Sequence, residues 1–378
     1  MAITKRNQNK WLIQIITGYT IDENGIKKQK KYSETFYGKK SDARIRENKL
    51  KAKVKKGTFF DNERITFNDL IDKWYIEIAE PTLQIKTVDE YKKLLVLIRD
   101  ELGFYKLTEL RSIHLLEFYN KLRSRQKKLS ESTILHYYTL INRILNIGVR
   151  WDFINKNVNS QIDRPKPMKQ QATYYDKNEV NQLLQCLQNE SLKYQVVIKL
   201  AIDSGCRRGE LTGLEWSDVD FNNYTININK TTQFTSVGVI EKSCPKNSSS
   251  IRIVSIMPET IDLLRKYKHE QEILKQKLGN KWINSNKVLI NNYGDKMHPD
   301  TPSKILKKII DKYNLPKMKF HGLRHTSASL LIASNVHTKV ISKRLGHSST
   351  NITDTIYCHV FDKLDKEAIT KMSDYLHK

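Results

Sequence analysis

The chain is poor in cysteine, in acidic residues and in long apolar runs, and each shortage removes a class of answer. Only Cys186, Cys206, Cys244 and Cys358 stand in 378 residues. None forms a C-x-x-C pair or sits at zinc-ligand spacing with histidines, so neither a disulfide framework nor a zinc module is expected. Few thiols in a long chain suit a reducing cytoplasm, which is the expected location. Cys206 and Cys358 flank candidate reactive residues but read as small buried thiols. No stretch approaches the ~18 apolar residues of a membrane span, and no secretory signal opens the chain, so no membrane partner is expected. Acidic residues number 41 against 66 Lys/Arg, a net charge of +25 with a pI near 9.6. Such a surplus calls for a polyanionic partner, and with the membrane surface poorly supported, nucleic acid remains. Hydrophobic residues make up 39%, lean but sufficient for the cores of two or three domains.

What is present is concentrated between residues 321 and 357. The run reads His321-Gly-Leu-Arg324-His325-Thr, then Leu345-Gly346-His347, then Thr355-Ile-Tyr357. His321 and Arg324 are three apart and share a face if helical. Leu345-Gly346 suits a helix end or tight turn ahead of His347. In-line displacement at a phosphodiester builds negative charge on the phosphorus oxygens, which fixed Arg and His donors stabilise. A tyrosine hydroxyl, with an ordinary pKa near ~10, is a workable nucleophile once a base or strong donors help its proton leave. Attack by Tyr357 would keep the bond energy in a covalent protein–DNA link, so a strand can be resealed without ATP. Each piece alone is bland; their order within 37 residues is what carries weight.

This run resembles the second half of the active site of tyrosine recombinases, the phage-integrase family. Upstream, Gly205-Cys-Arg207-Arg208-Gly-Glu210 resembles the family's first box. The resemblance implies that Arg207, Arg324 and His347 hold the scissile phosphate and that Glu210 orients Arg207. His321 would take up or share the tyrosine proton. It also places a lysine on a turn between two strands. Lys246, in Cys244-Pro-Lys246-Asn-Ser, is the match, with Lys242 as rival; a lysine there suits a general acid for the departing 5′ oxygen. The family often has Thr where this chain has Asn247. Arg208 reads as a backbone or surface contact, and Trp216 as a packing residue.

The expected fold is mainly α with small β-sheets (α+β), in three parts. Residues 1–60 read as a sheet-plus-helix module. Strands lie at Trp11–Thr17 and Lys31–Tyr37, a turn at Asp22–Gly25, and a helix from Asp42 to Lys56 with Ala43, Leu50 and Val54 inward. Residues 1–57 hold 16 Lys/Arg against 5 Asp/Glu, a net +11. The module resembles the arm-site-binding domain of many integrases, where a three-stranded sheet enters the major groove. Residues 61–168 read as wholly helical. Thr66/Asp69 and Thr87/Glu90 would open two helices; Ile113, Leu116 and Tyr119 mark a third, and Ile134, Tyr138, Ile141 and Leu145 a fourth. This segment resembles the family's core-binding (SAM-like) domain, except that Asn157-Val158 replaces a frequent Asn-Pro. Asp163–Pro167 reads as a stiff basic linker.

Residues 169–378 read as the catalytic domain. Its predicted elements are helices from Asp176 and over Val196–Ser204, Pro258–Leu278 and Thr301–Tyr313, with strands at 225–229, 237–242 and 251–256. Beyond Tyr357, Val360 to Met372 read as an apolar tail that could pack on its own domain; the resemblance implies instead docking on a neighbouring protomer.

The resemblance implies a site-specific DNA recombinase, the integrase of a phage or integrative element, joining strands through a 3′-phosphotyrosyl intermediate. Implied partners are double-stranded DNA at core and arm-type attachment sites, a homotetramer on DNA and an accessory directionality factor. No cofactor and no metal is expected: the motif region offers no carboxylate cluster for two Mg²⁺ ions, and H-x-x-R-H is not H-E-x-x-H. The rivals are a type IB topoisomerase and a non-catalytic DNA-binding regulator on the same fold.

Overall fold

The computed structural model describes residues 3–21, 27–55, 65–126, 128–168, 173–243 and 251–346, with Ile369, Met372, Ser373 and Leu376 beyond. The chain divides into two compact units, Met1–Lys169 and Gln170–Lys378.

The first unit opens with an antiparallel sheet in the order β1 (Thr4–Asn7), β2 (Lys10–Ile21), β3 (Lys27–Tyr37), followed by helix α1 (Lys40–Lys55). Alternation decides which side of β2 is covered: Ile13 and Ile15 are buried with Ala43 and Leu50 of α1, while Gln14 between them is exposed. Glu34 of β3 takes a two-pronged contact from Arg46 of α1, both at 3.0 Å, fixing helix against sheet. The predicted turn at Asp22–Gly25 lies outside the described residues.

Helical residues follow: α2 (Phe67–Trp74), a π-helical turn Tyr75–Ala79, the last turn α3 (Glu80–Thr82), α4 (Ile85–Leu102), α5 (Ser112–Ser124) and α6 (Glu131–Arg150). The capping box at Thr66 and Asp69 is present: the Asp69 N–H donates to Thr66 Oγ1 and the Thr66 N–H to Asp69 Oδ2. Phe67, Leu70, Ile71 and Trp74 are fully buried behind it. Two sequence expectations fail here. Helix α4 starts two residues before Thr87, capped by Gln84, so Thr87 and Glu90 lie inside it and form no box. In α5 the buried stripe is Leu115, Phe118, Tyr119 and Leu122, whereas Ile113 and Leu116 are exposed. Val158 stands where a proline was the alternative, and Asn157 before it holds the turn. Its Nδ2 donates to Asn142 Oδ1 and Asn146 Oδ1, and its Oδ1 accepts the Asn159 N–H.

The second unit begins with α7 (Lys177–Leu187), opened by the Asp176/Glu179 box, then the buried α8 (Leu192–Ser204) and the short α9 (Arg208–Gly213). Strands β4 (Val219–Asp220), β5 (Thr225–Ile228) and β8 (Arg252–Ser255) form one sheet. A separate antiparallel hairpin, β6 (Lys230–Thr235) and β7 (Gly238–Ser243), stands between β5 and β8 in the chain. Three strands were predicted over this region; β4 and β6 were not. Then come α10 (Pro258–Leu278), α11 (Thr301–Tyr313), α12 (His321–Ala333) and α13 (Thr338–Leu345). Helix α8 is the hub: Val196, Val197, Ile198, Leu200 and Ala201 are buried among residues of α7, α10, α11, the sheet and α12. Trp216 is a packing residue, its Nε1 donating to Gln271 of α10.

A buried lysine ties the hairpin down. Lys287 Nζ is almost wholly covered and donates to Glu215 Oε1 at 2.9 Å, Glu241 Oε2 of β7 at 2.8 Å and the Gly213 carbonyl at 3.1 Å. Lys230 of β6 pairs with the other oxygen of Glu215. No described helix is long and apolar enough to cross a membrane.

Candidate active site

The site is built where α8 ends. Gly205 takes the left-handed conformation (φ +63°) that closes the helix. A Cβ there would meet Leu345 Cδ2 at 2.4 Å, so glycine serves both the turn and the close approach of α13. The chain leaves this turn extended through Arg207 and re-enters helix as α9. The Arg207 N–H donates to Glu210 Oε2 at 2.9 Å, and its Nη1 donates to Glu210 Oε1 at 2.8 Å. Its Nη2 donates to the carbonyl of Gly346 at 3.2 Å. Arg207 therefore has one side pinned to a buried carboxylate while its side chain stays 42% exposed.

Arg324 lies one turn into α12 and is buried. Its Nη1 donates to the Gly205 carbonyl at 2.8 Å, so the second guanidinium is moored two residues before the first. Its Nη2 is buried and finds no acceptor among the described residues. Burial, with the neighbouring Arg207 charge next, pushes the Arg324 guanidinium down to about 10. His321 opens α12 and is exposed at its edge. Partial desolvation, then the charges of Arg324 and Arg207, holds its imidazole below the ordinary 6.5. His325 packs edge-on against it, ring centres 4.8 Å apart, and desolvation drives His325 down to about 4. Both rings are thus neutral near pH 7.

Glu210 is the counter-charge. Burial works against its ionisation, but Arg252 and then Arg207 outweigh that and hold its carboxyl below the ordinary carboxylate range. Arg252, on β8, is itself buried; its Nη2 and Nη1 donate to the two Glu210 oxygens at 2.8 and 3.3 Å, and its Nε to the Arg344 carbonyl at 2.6 Å. Sequence reasoning missed Arg252. The signal was its register: Arg252, Val254 and Ile256 alternate on the covered face of the strand, and a charge there needs a partner. Arg208, by contrast, pairs at the surface with Asp300 and Ser303. Cys206 is buried and its thiol is pushed up to about 11, as expected of an inert packing residue.

Of the sequence-predicted site residues, Arg207, Glu210, His321 and Arg324 come together in one place. Lys246, His347 and Tyr357 lie outside the described residues. Gly346, the left-handed cap of α13, is the residue before His347 and the acceptor for Arg207.

Two guanidinium groups and an imidazole thus stand around a buried donor with no acceptor among the described residues. Residues 173–363 match the model of the phage integrase family, and residues 66–123 that of the phage integrase N-terminal SAM-like domain. The chain belongs to the phage integrase family, the tyrosine recombinases, which break and rejoin DNA at specific sites. It is 28% identical over 377 residues to a XerC-like tyrosine recombinase of Caldanaerobacter subterraneus subsp. tengcongensis, covering 93% of each chain. It is 26% identical to the ICEBs1 integrase of Bacillus subtilis, over 66% of this chain and 67% of that one. Its fold matches that of the Tn1549 transposon integrase in complex with transposon right-end DNA. The TM-score is 0.67 at 20% identity, over 80% of this chain and 98% of the other.

Proposed function

We propose that this recombinase is the integrase of a phage or conjugative element, acting as a homotetramer on paired DNA duplexes in the cytoplasm, with Tyr357 as nucleophile. The observation that carries the reading is the pairing of Arg207 with Arg324. One guanidinium is exposed and pinned from behind; the other is buried with a donor unspent among the described residues. A phosphodiester offers two non-bridging oxygens, and the two guanidinium groups supply a donor to each. Their fixed charge favours the transition state, where those oxygens carry more negative charge than in the ground state.

In the proposed sequence His321, neutral at pH 7, accepts or shares the phenolic proton as Tyr357 Oη attacks phosphorus. The bond to the 5′ oxygen breaks, Lys246 protonates that oxygen, and a 3′-phosphotyrosyl link remains. His347 adds a third donor to the phosphate. The 5′-hydroxyl of the partner duplex then attacks the link, giving its proton to Lys246 while His321 returns the phenolic proton to the departing Tyr357 Oη, and the strands are joined. Residues 1–60 act as the arm-site module, 61–168 as the core-binding domain and 169–378 as the catalytic domain. The net +11 of residues 1–57 supports DNA contact by the first. An accessory protein sets direction.

The test uses two linear duplexes carrying the junction sequences of the circularised element that flanks this gene. Purified protein in EDTA and without ATP is expected to yield exchanged duplexes, and Tyr357→Phe none. Relaxation of a supercoiled plasmid with no exchange between duplexes would favour the topoisomerase reading instead.

A further inference from the structure

The recombinase motifs account for Arg207, Glu210 and Arg324, but not for the arginine buried behind them. Arg252 donates to both carboxylate oxygens of Glu210 and to the carbonyl of Arg344. Its side chain and that of Glu210 are each only 4% exposed. Through Glu210 it reaches the backbone and side chain of Arg207. Through residue 344 it holds the end of α13, two residues before the Gly346 carbonyl that also receives Arg207. One guanidinium on β8 is thus bonded to two elements far apart in sequence, α9 and α13. A lysine ammonium donates from a single point and lacks the planar fork that meets both oxygens of Glu210 while Nε reaches the Arg344 carbonyl.

We infer that Arg252 is the positioning residue of the phosphate clamp, setting through Glu210 and the 344–346 turn where the Arg207 guanidinium points. The inference rests on the reading of Arg207 as a phosphate ligand. Without Arg252, Glu210 keeps its bonds to Arg207 alone, and the whole carboxylate charge falls on the group meant for phosphate. Arg207 is then drawn back, and the end of α13 loses its tie. Arg252 itself stays buried behind the clamp and touches no DNA, so binding is spared while the transition state is not.

A double-mutant cycle tests this with the full-length protein. The readout is single-turnover cleavage of a duplex nicked beside the crossover, which traps the adduct irreversibly and keeps slow rates readable. The variants are Arg252→Met, Arg207→Ala and the two combined. Arg252→Met is expected to slow cleavage by about tenfold or more, while the double variant is no slower than Arg207→Ala alone, because the second loss has nothing left to act through. Binding to the same duplex stays within about twofold. Arg252→Lys, which keeps the buried charge but not the fork, covers the case in which Arg252→Met does not fold, and is expected to give the same non-additive pattern.

Additive losses overturn the inference, as does a wild-type rate in Arg252→Met. In each of those cases Arg207 remains a clamp. A wild-type rate in Arg207→Ala is a different failure, for it removes the clamp reading itself.

Discussion

At the scale of single residues, the account turns on protonation. His321 is held neutral by desolvation and by the Arg324 and Arg207 charges. In DNA-free protein its ring is expected to titrate below 6.5, and in Arg207→Ala to move up part of the way, since desolvation, the larger cause, remains. NMR titration of the imidazole reads both; an unmoved midpoint in the variant contradicts the geometry. Glu210 gives the opposite linkage to a raised group. Its folded pKa is depressed, so the stability it contributes is present above the unfolded carboxylate value, about 4.3, and is lost as pH falls through the folded one. Glu210→Gln is therefore expected to be less stable than wild type at pH 7, with the gap closing below pH ~4. Thermal unfolding across pH checks it; a constant gap would mean that the carboxylate charge contributes nothing. His321, Arg324, Arg207 and Glu210 were legible because their chemistry and spacing recur as motifs. Arg252 was not: it stands alone in a strand, and only the fold reveals that its face is covered.

At the scale of elements, sequence reading did best where apolar period and end signals agreed. Pro258–Leu278 and Thr301–Tyr313 have the bounds expected from the sequence, each with a proline in its first turn. It failed where one helix carries two apolar stripes, as in α5, because periodicity alone does not say which stripe meets the bundle. It also missed β6, whose inward residues are the buried threonines Thr232 and Thr235 rather than aliphatics. Hydroxyls do the packing there: Thr232 and Thr212 share a hydrogen bond, and α9 approaches so closely that a Cβ on Gly209 would meet the Thr232 carbonyl at 2.6 Å.

The hairpin also supplies a stability prediction. Lys287 is 2% exposed and neutralises carboxylates on two segments. Lys287→Met leaves Glu215 and Glu241 facing an apolar side chain and is expected to destabilise the protein by roughly 2–3 kcal/mol, less than a fully buried pair because the carboxylates are partly wet. Lys121, 57% exposed in its pair with Glu101, is the control: Lys121→Met should change stability by under about 1 kcal/mol. Denaturant unfolding compares the two, and equal effects would mean that the buried network does not hold the hairpin.

At the scale of the whole molecule, charge and chemistry have to meet on DNA. A net +25 spread over both units predicts binding dominated by phosphate contacts. A plot of log K against log salt concentration is expected to fall with a slope of about −5 or steeper, corresponding to six or more neutralised phosphates. A slope near −1 would mean that most of the surplus charge faces solvent. The central claim remains that Tyr357 becomes covalently joined to DNA. Peptide mapping by mass spectrometry after incubation with a nicked core-site duplex tests it most directly. The account predicts one peptide carrying a 3′-linked nucleotide on Tyr357, absent from Tyr357→Phe and strongly reduced in Arg207→Ala. A nucleotide on any other residue, or an adduct that persists in Tyr357→Phe, would contradict it.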